Sequence, residues 1–306
     1  MGTLRPVILE TIGPTFLLVA VGYGLGRLGK IPARPFAEIS FWVLSPALIF
    51  ETLRTAQLPL REASLVAAFV GAHYLAMFLL SLPLGRALFP NDPDARRATS
   101  LLLTFGNCGN LGLPILLFAY GQKAVDVGVI FLATNTVLLA TLGIGIASWQ
   151  DRLDLRTLGR EILRVPWPYA MALAVIMRIT NAWPEVLARA SGLLAQAAIP
   201  VFLLLLGLEL ALVNIQALAK PAIFVALGRL VFASILAWFL APLFSGEPII
   251  RGSLVIEGSV PSAVNAYILT AQYQRRPDLA AMALLISTLL SAGTLSLILF
   301  FLARLG

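Results

Sequence analysis

Cysteine and histidine are almost missing from this chain, which has one of each, Cys108 and His73. A single cysteine excludes an internal disulfide and any cysteine-based zinc cluster, and a single histidine excludes every metal motif that needs two. Charge is scarce as well. Only 12% of residues are charged, against about 25% in an average soluble domain, which excludes a soluble globular fold. The net charge of +7 is not gathered into a basic face, because Lys and Arg stand in short gaps between apolar runs, so no nucleic-acid partner is expected. The chain also lacks a Gly-x-x-x-x-Gly-Lys-[Ser/Thr] phosphate loop, a His-Glu-x-x-His, a Gly-x-Ser-x-Gly and paired catalytic aspartates. It therefore reads as neither an ATP-driven pump nor an enzyme, and no cofactor is expected.

What is present is apolar sequence: 59% of the 306 residues are hydrophobic, with a mean hydropathy of +0.91. In lipid every backbone polar group must be satisfied internally, so the runs read as transmembrane helices of about 20 residues each. The first run follows Arg5 but is too long for a signal-peptide core and has no clear small-residue cleavage site, so it reads as a retained span. Five spans are expected at 7–27, 35–53, 64–84, 97–120 and 124–149, and five more at 161–181, 190–210, 221–244, 251–273 and 279–303. The sixth is short, with a charge-free core of thirteen residues between Arg164 and Arg178, which must snorkel. Sliding one half over the other by 154 residues places Pro14 on Pro168 and Pro46 on Pro200, and a shift of 153 places Tyr120 on Tyr273. The expected organisation is thus all-α, with a first five-helix repeat at 1–150, a linker at 151–160 and a second repeat at 161–306. An odd number of spans per repeat makes the second copy inverted in the membrane.

Thirteen Lys and Arg residues fall on one side of this arrangement and eight on the side carrying the termini, with Arg229 inside the membrane. The positive-inside rule then puts both termini on the non-cytoplasmic side of the inner (plasma) membrane. Between the repeats, Arg152, Arg156, Arg160 and Arg164 recur every fourth residue beside an apolar stripe, which fits either a cytoplasmic interfacial helix or a solvated linker.

Two spans carry the signs of a break. The fourth reads Thr104-Phe105-Gly106-Asn107-Cys108-Gly109-Asn110-Leu111-Gly112-Leu113-Pro114, with three glycines, two asparagines and a proline at membrane depth. The ninth reads Glu257-Gly258-Ser259-Val260-Pro261-Ser262-Ala263-Val264-Asn265. Glycine and proline both weaken a helix interior, and unwound backbone at this depth must face protein or a water-filled cavity. Breaks at corresponding places in inverted halves point to a transporter's binding site, where half-helix ends bind ions without dedicated charges. The interruptions are expected near 107–112 and 259–261. Asn107, Asn110, Gly112, Pro114, Pro261 and Asn265 are the candidate solute contacts. Glu257, Pro261 and Asn265 are spaced by four, which on a helix would turn Glu257 and Asn265 to the same side. Cys108 reads as a small buried filler.

The pattern Asn110-x-Gly112-x-Pro114, Pro261 with Asn265, and ten spans of this total length resemble the auxin efflux carrier family, particularly its compact bacterial members. The likeness covers the whole chain, although crossover-helix relatives such as bile acid sodium symporters share the architecture with different motifs. The resemblance implies a scaffold of spans one, two, six and seven, and a moving domain of the other six. It also implies that spans four and nine cross at the substrate site, with elevator-type alternating access. The long central cytoplasmic loop of the plant members is absent, and this chain offers His73 where they carry an acidic residue in the third span, so auxin itself is not implied.

Four ionisable residues lie within spans, where charge is costly and usually functional. Glu257, a turn before Pro261, is a candidate coupling residue or a structural hydrogen-bonding partner of span four. Arg229 and Glu209 either pair with each other, or Arg229 binds an anion or takes part in coupling. His73, at a depth similar to Arg229, either takes up a proton during transport or is a satisfied core residue. The function expected is secondary transport of a small organic anion such as a carboxylate, driven by Na+, H+ or the solute's own gradient. The competing reading is a sodium or proton exchanger. Such exchangers commonly place adjacent acidic residues at the crossing, and here there is one. A homodimer is compatible with either.

Overall fold

A computed structural model describes residues 7–55, 58–148, 166–180, 184–212 and 220–305. Among the described residues the chain is helical, with one isolated antiparallel bridge between Gly106 and Ser262 and no strand. The helices are α1 (Val7–Arg27), α2 (Ala33–Thr55), α3 (Leu60–Leu88), α4 (Pro93–Thr104), α5 (Cys108–Tyr120), α6 (Gln122–Ala147), α7 (Trp167–Thr180), α8 (Glu185–Leu212), α9 (Lys220–Phe244), α10 (Pro248–Ser259), α11 (Val264–Gln272) and α12 (Pro277–Leu305). Seven of them, α1, α2, α3, α6, α8, α9 and α12, are long and apolar enough to cross a membrane. The segment expected as the fourth span is split into α4 and α5, and that expected as the ninth into α10 and α11. The helix α7 has 14 residues. The linker at 151–160 and its arginines lie outside the described residues.

Local sequence explains where the split helices begin. Asp92 caps α4 by accepting a hydrogen bond from the Ala95 amide at 2.9 Å, and Pro93 occupies the first turn, where a missing N–H costs nothing. Glu247 does the same for α10, accepting from the Ile250 amide at 2.7 Å ahead of Pro248. Each cap also meets a cation from a distant loop: Arg276 pairs with Asp92, and Lys123 with Glu247 at 3.2 Å. Partial burial pushes the Asp92 carboxyl upward, but the Ala95 amide and the Arg276 guanidinium outweigh it and hold the group below its ordinary value. Both pairs join residues that the charge count places on the same side of the membrane.

The helices pack in two sets. α1, α2, α7 and α8 lie against one another, while α3, α4, α10 and α12 surround α9, and α6 packs on α3, α5 and α10. The first set is closed by backbone contact between α1 and α8. A Cβ on Gly22 would stand 2.2 Å from the Leu204 carbonyl oxygen, and one on Gly207 would stand 2.1 Å from that of Val19. Close approach of this kind is how helices associate in lipid, where packing replaces the hydrophobic effect. Four helices contain a widened π-helical turn, at Val7–Ile12, Ser40–Leu44, Cys108–Gly112 and Leu139–Gly143. The last three border the cavity described next.

Candidate solute site at two paired helix breaks

α4 ends at Thr104 and α10 at Ser259, the residues that follow, Phe105 and Val260, are extended, and the chain passes through 105–107 and 260–263 before α5 and α11 begin. The two breaks satisfy each other. The Asn107 amide donates to the Pro261 carbonyl at 2.8 Å, and the Ala263 amide donates to the Phe105 carbonyl at 2.9 Å. The Ser262 hydroxyl adds a bond to the Leu102 carbonyl at 3.0 Å. Part of the unwound backbone thereby finds its hydrogen-bond partners within the protein. The first break comes earlier than the 107–112 expected, because residues 108–112 stay helical as a π turn. Pro114 withdraws the amide that would bond back to Asn110, and the helix widens just before it.

Arg229 of α9 enters this junction fully buried. Its Nε donates to the Val260 carbonyl at 3.0 Å, Nη1 to Leu103 at 2.9 Å and Thr104 at 3.3 Å, and Nη2 to Gly258 at 3.2 Å. These oxygens belong to the C-terminal ends of α4 and α10, each carrying about half a negative charge from its helix dipole. A guanidinium set between two such ends is balanced without a carboxylate. The ion pair between Arg229 and Glu209, one of the two readings above, is not found among the described residues, because the fork is already filled by carbonyls. Gly106 allows this approach, since a Cβ there would lie 2.2 Å from Nη2.

Glu257 is buried behind the breaks. A Cβ on Gly112 would lie 2.3 Å from its Oε2, and one on Gly128 would lie 3.0 Å from Oε1. Neither carboxylate oxygen has a hydrogen-bond partner among the described residues. His73 of α3 is also fully buried, with Nε2 3.1 Å from the Ala233 carbonyl of α9 and its ring stacked on Phe69. Nε2 must carry the proton to donate to that carbonyl. Its Nδ1 is unpartnered among the described residues.

On the opposite face of the breaks lies an open cavity of about 610 Å³. Residues 106–110 and 263–265, at the N-terminal ends of α5 and α11, form part of its wall. Ser40 and Trp42 of α2 and Phe202 and Glu209 of α8 form another part, so the cavity lies between the two helix sets. Asn107, Asn110 and Asn265 are all on it, together with Glu209. The Asn107 side-chain amide nitrogen is buried and unpartnered among the described residues, as is Glu209 Oε2.

Gly112, Pro114, Pro261, Glu257, Arg229 and His73 do not line this cavity. Glu257 and Asn265 face different surroundings, contrary to the spacing by four of Glu257, Pro261 and Asn265, because the extended stretch 260–263 resets the helical phase. Several polar cavity residues, Ser40, Thr136 and Gln272 among them, were not anticipated, and one of them is tied to a buried hydroxyl. Asn135 of α6 borders the cavity, and its Oδ1 accepts a hydrogen bond from the buried Tyr74 hydroxyl at 2.9 Å. The signal for it is the polar triplet Thr134-Asn135-Thr136 within an apolar run.

Comparison with known proteins places this geometry. A protein of Rhizobium meliloti named "Putative malonate transporter" is 28% identical over 295 residues, covering 92% of both chains. An uncharacterized transporter of Methanocaldococcus jannaschii is 23% identical over 301 residues, covering 94% of this chain and 97% of its own. Another from Methanothermobacter thermautotrophicus is 26% identical over 297 residues, covering 94% and 96%. Residues 7–299 match the model of the family described as membrane transport protein. The family and these relatives are transporters, not enzymes, and the chain is a multi-pass membrane protein. The resemblance read from the motifs of spans four and nine holds, and the chain belongs to the membrane transport protein family, that of the auxin efflux carriers.

Proposed function

We propose that this protein is a secondary carrier of a small organic anion, a carboxylate in particular, working by elevator-type alternating access. The observation that carries the reading is the cavity itself: two half-helix N-termini converge on it, and Asn107, Asn110 and Asn265 stand at those ends. N-terminal helix ends supply about half a positive charge each, and asparagine amides can orient a carboxylate through their NH2 groups, so recognition needs no buried cation. The malonate named for the Rhizobium relative is an anion of this class.

In this reading the chain makes ten passes as two inverted repeats, 1–150 and 161–306, with the split fourth and ninth spans crossing at the solute. Asp92-Pro93 and Glu247-Pro248 stand 155 residues apart and open corresponding half-helices, as Asn110 and Asn265 do on the other side of the breaks, which supports the repeat. The set α1, α2, α7 and α8 is the scaffold, and the remaining helices move. Both termini lie outside the cytoplasm of the inner membrane. Glu257, enclosed without a hydrogen-bond partner among the described residues, carries the coupling proton or sodium, since a bare charge so buried would cost several kcal/mol. His73, whose Nε2 would lie 3.3 Å from a Cβ on Gly258, stands beside Glu257 in this coupling role, and Glu209 gates the cavity from the scaffold.

Purified protein is tested by thermal shift against malonate and other carboxylates, then by uptake into proteoliposomes. A ligand raises stability by mass action. Asn110→Ala is expected to weaken binding, and so reduce the shift, at every pH, whereas Glu257→Gln keeps the shift and flattens the dependence of uptake on pH or sodium. An unchanged pH and sodium profile in Glu257→Gln overturns the coupling role. Proton or sodium flux with no solute requirement would favour the exchanger instead.

A further inference from the structure

We infer that the Arg229 guanidinium is a resident cation of the paired breaks, filling the carbonyl cage that a metal cation would need, so that sodium is not bound there. The cage consists of the Leu103, Thr104, Gly258 and Val260 carbonyl oxygens, all 2.9 to 3.3 Å from guanidinium nitrogens. A ring of backbone carbonyls is the donor set that replaces the hydration shell of a monovalent cation. Two helix C-termini together contribute about one negative charge, which one guanidinium cancels. Arginine does not lose its proton in proteins, so this charge stays in place in every state of the molecule. Gly106 is shaped to it: a Cβ there would meet Nη2 at 2.2 Å and Cζ at 3.2 Å. The cation is therefore built into the fold rather than exchanged with the solution, and any coupling ion must act elsewhere, at a group such as Glu257. This rests on the proposed function only in placing transport at the breaks.

The test reads thermal stability of the purified full chain in detergent, and so requires no transported solute. Wild type, Glu257→Gln and Arg229→Ala are melted in sodium chloride and in N-methylglucamine chloride at equal ionic strength, with and without added ethylguanidinium. Glu257→Gln, which retains the filled cage, is expected to show no shift between sodium and N-methylglucamine and none with low ethylguanidinium, so that any sodium shift of the wild type is lost with Glu257. Arg229→Ala is expected to melt lower and to regain stability saturably with ethylguanidinium. A saturable stabilisation by sodium that persists in Glu257→Gln overturns the inference, as does an Arg229→Ala protein that melts like the wild type with no added cation. If Arg229→Ala does not fold, the sodium comparison of wild type with Glu257→Gln decides. Failure of the wild type to respond to any carboxylate would count against the proposed function and leave this result standing.

Discussion

Gly106→Ala is the substitution that most directly tests the junction. Gly106 does not have a positive φ, so alanine meets no backbone strain there, and the whole effect comes from what its methyl group touches. That methyl would lie 2.2 Å from Arg229 Nη2 and 2.8 Å from a Val260 methyl. The guanidinium cannot swing aside without giving up the Gly258 carbonyl, because its other nitrogens are held by Leu103, Thr104 and Val260. Overpacking costs about 1–3 kcal/mol and losing one charged hydrogen bond about 1.5–3, while a stiffer unfolded chain returns about 0.4–1, leaving a net loss of about 1.5–5.5 kcal/mol. The assay is thermal unfolding in detergent, with Gly293→Ala as the control, since a Cβ at Gly293 has nothing within 4 Å. Gly293→Ala should melt at or above the wild type, and Gly106→Ala several degrees below it. If the two variants melt together, the tight seat of Arg229 is wrong.

Further outcomes follow from the other contacts. Gly112→Ala should destabilise by about 1–3 kcal/mol through its clash with Glu257 Oε2, and adding Glu257→Ala should relieve part of that loss, a non-additivity measured by a double-mutant cycle of melting temperatures. Asp92→Ala should cost about 0.5–2 kcal/mol at pH 7 through loss of the cap. Because the Asp92 carboxyl is held below its ordinary value of about 4, this stabilisation is full above that pH and fades as pH falls through the folded value, so melting curves of wild type and variant should converge in acid. Tyr74→Phe should cost about 0.5–1.5 kcal/mol and alter carboxylate affinity in thermal-shift titrations, because it releases the Asn135 side chain that borders the cavity.

The helices were legible because apolar runs of about 20 residues have few other readings, and the breaks were legible because Gly106, Gly109, Gly112, Pro114 and Pro261 are poor continuations of a helix at that depth. Asn107, Asn110 and Asn265 border the cavity, since a polar amide in an apolar span has to find a polar surrounding. The partner of Arg229 was not legible. Charge pairing suggested Glu209, but the charge it meets resides on backbone carbonyls, whose position depends on where two helices stop. The facing of Glu257 and Asn265 failed for a related reason, as helical spacing does not carry across four extended residues. Asn135 was passed over because a single amide between two threonines looks ordinary until the Tyr74 hydroxyl is seen against it.

The mutual hydrogen bonding of the breaks has a consequence for how the protein is made. During synthesis residues 105–107 emerge more than 150 residues before 261–263, the backbone that will satisfy them. The Arg229 side chain that stitches α4 to α10 also arrives late. Until then the Phe105 carbonyl and the Asn107 amide have to be kept in water or by the insertion machinery, because lipid offers them no partner. The centre of the molecule therefore cannot close before residues 261–263 are made, and a ribosome-bound chain stopped before residue 261 should expose this segment to labelling reagents that the finished protein excludes.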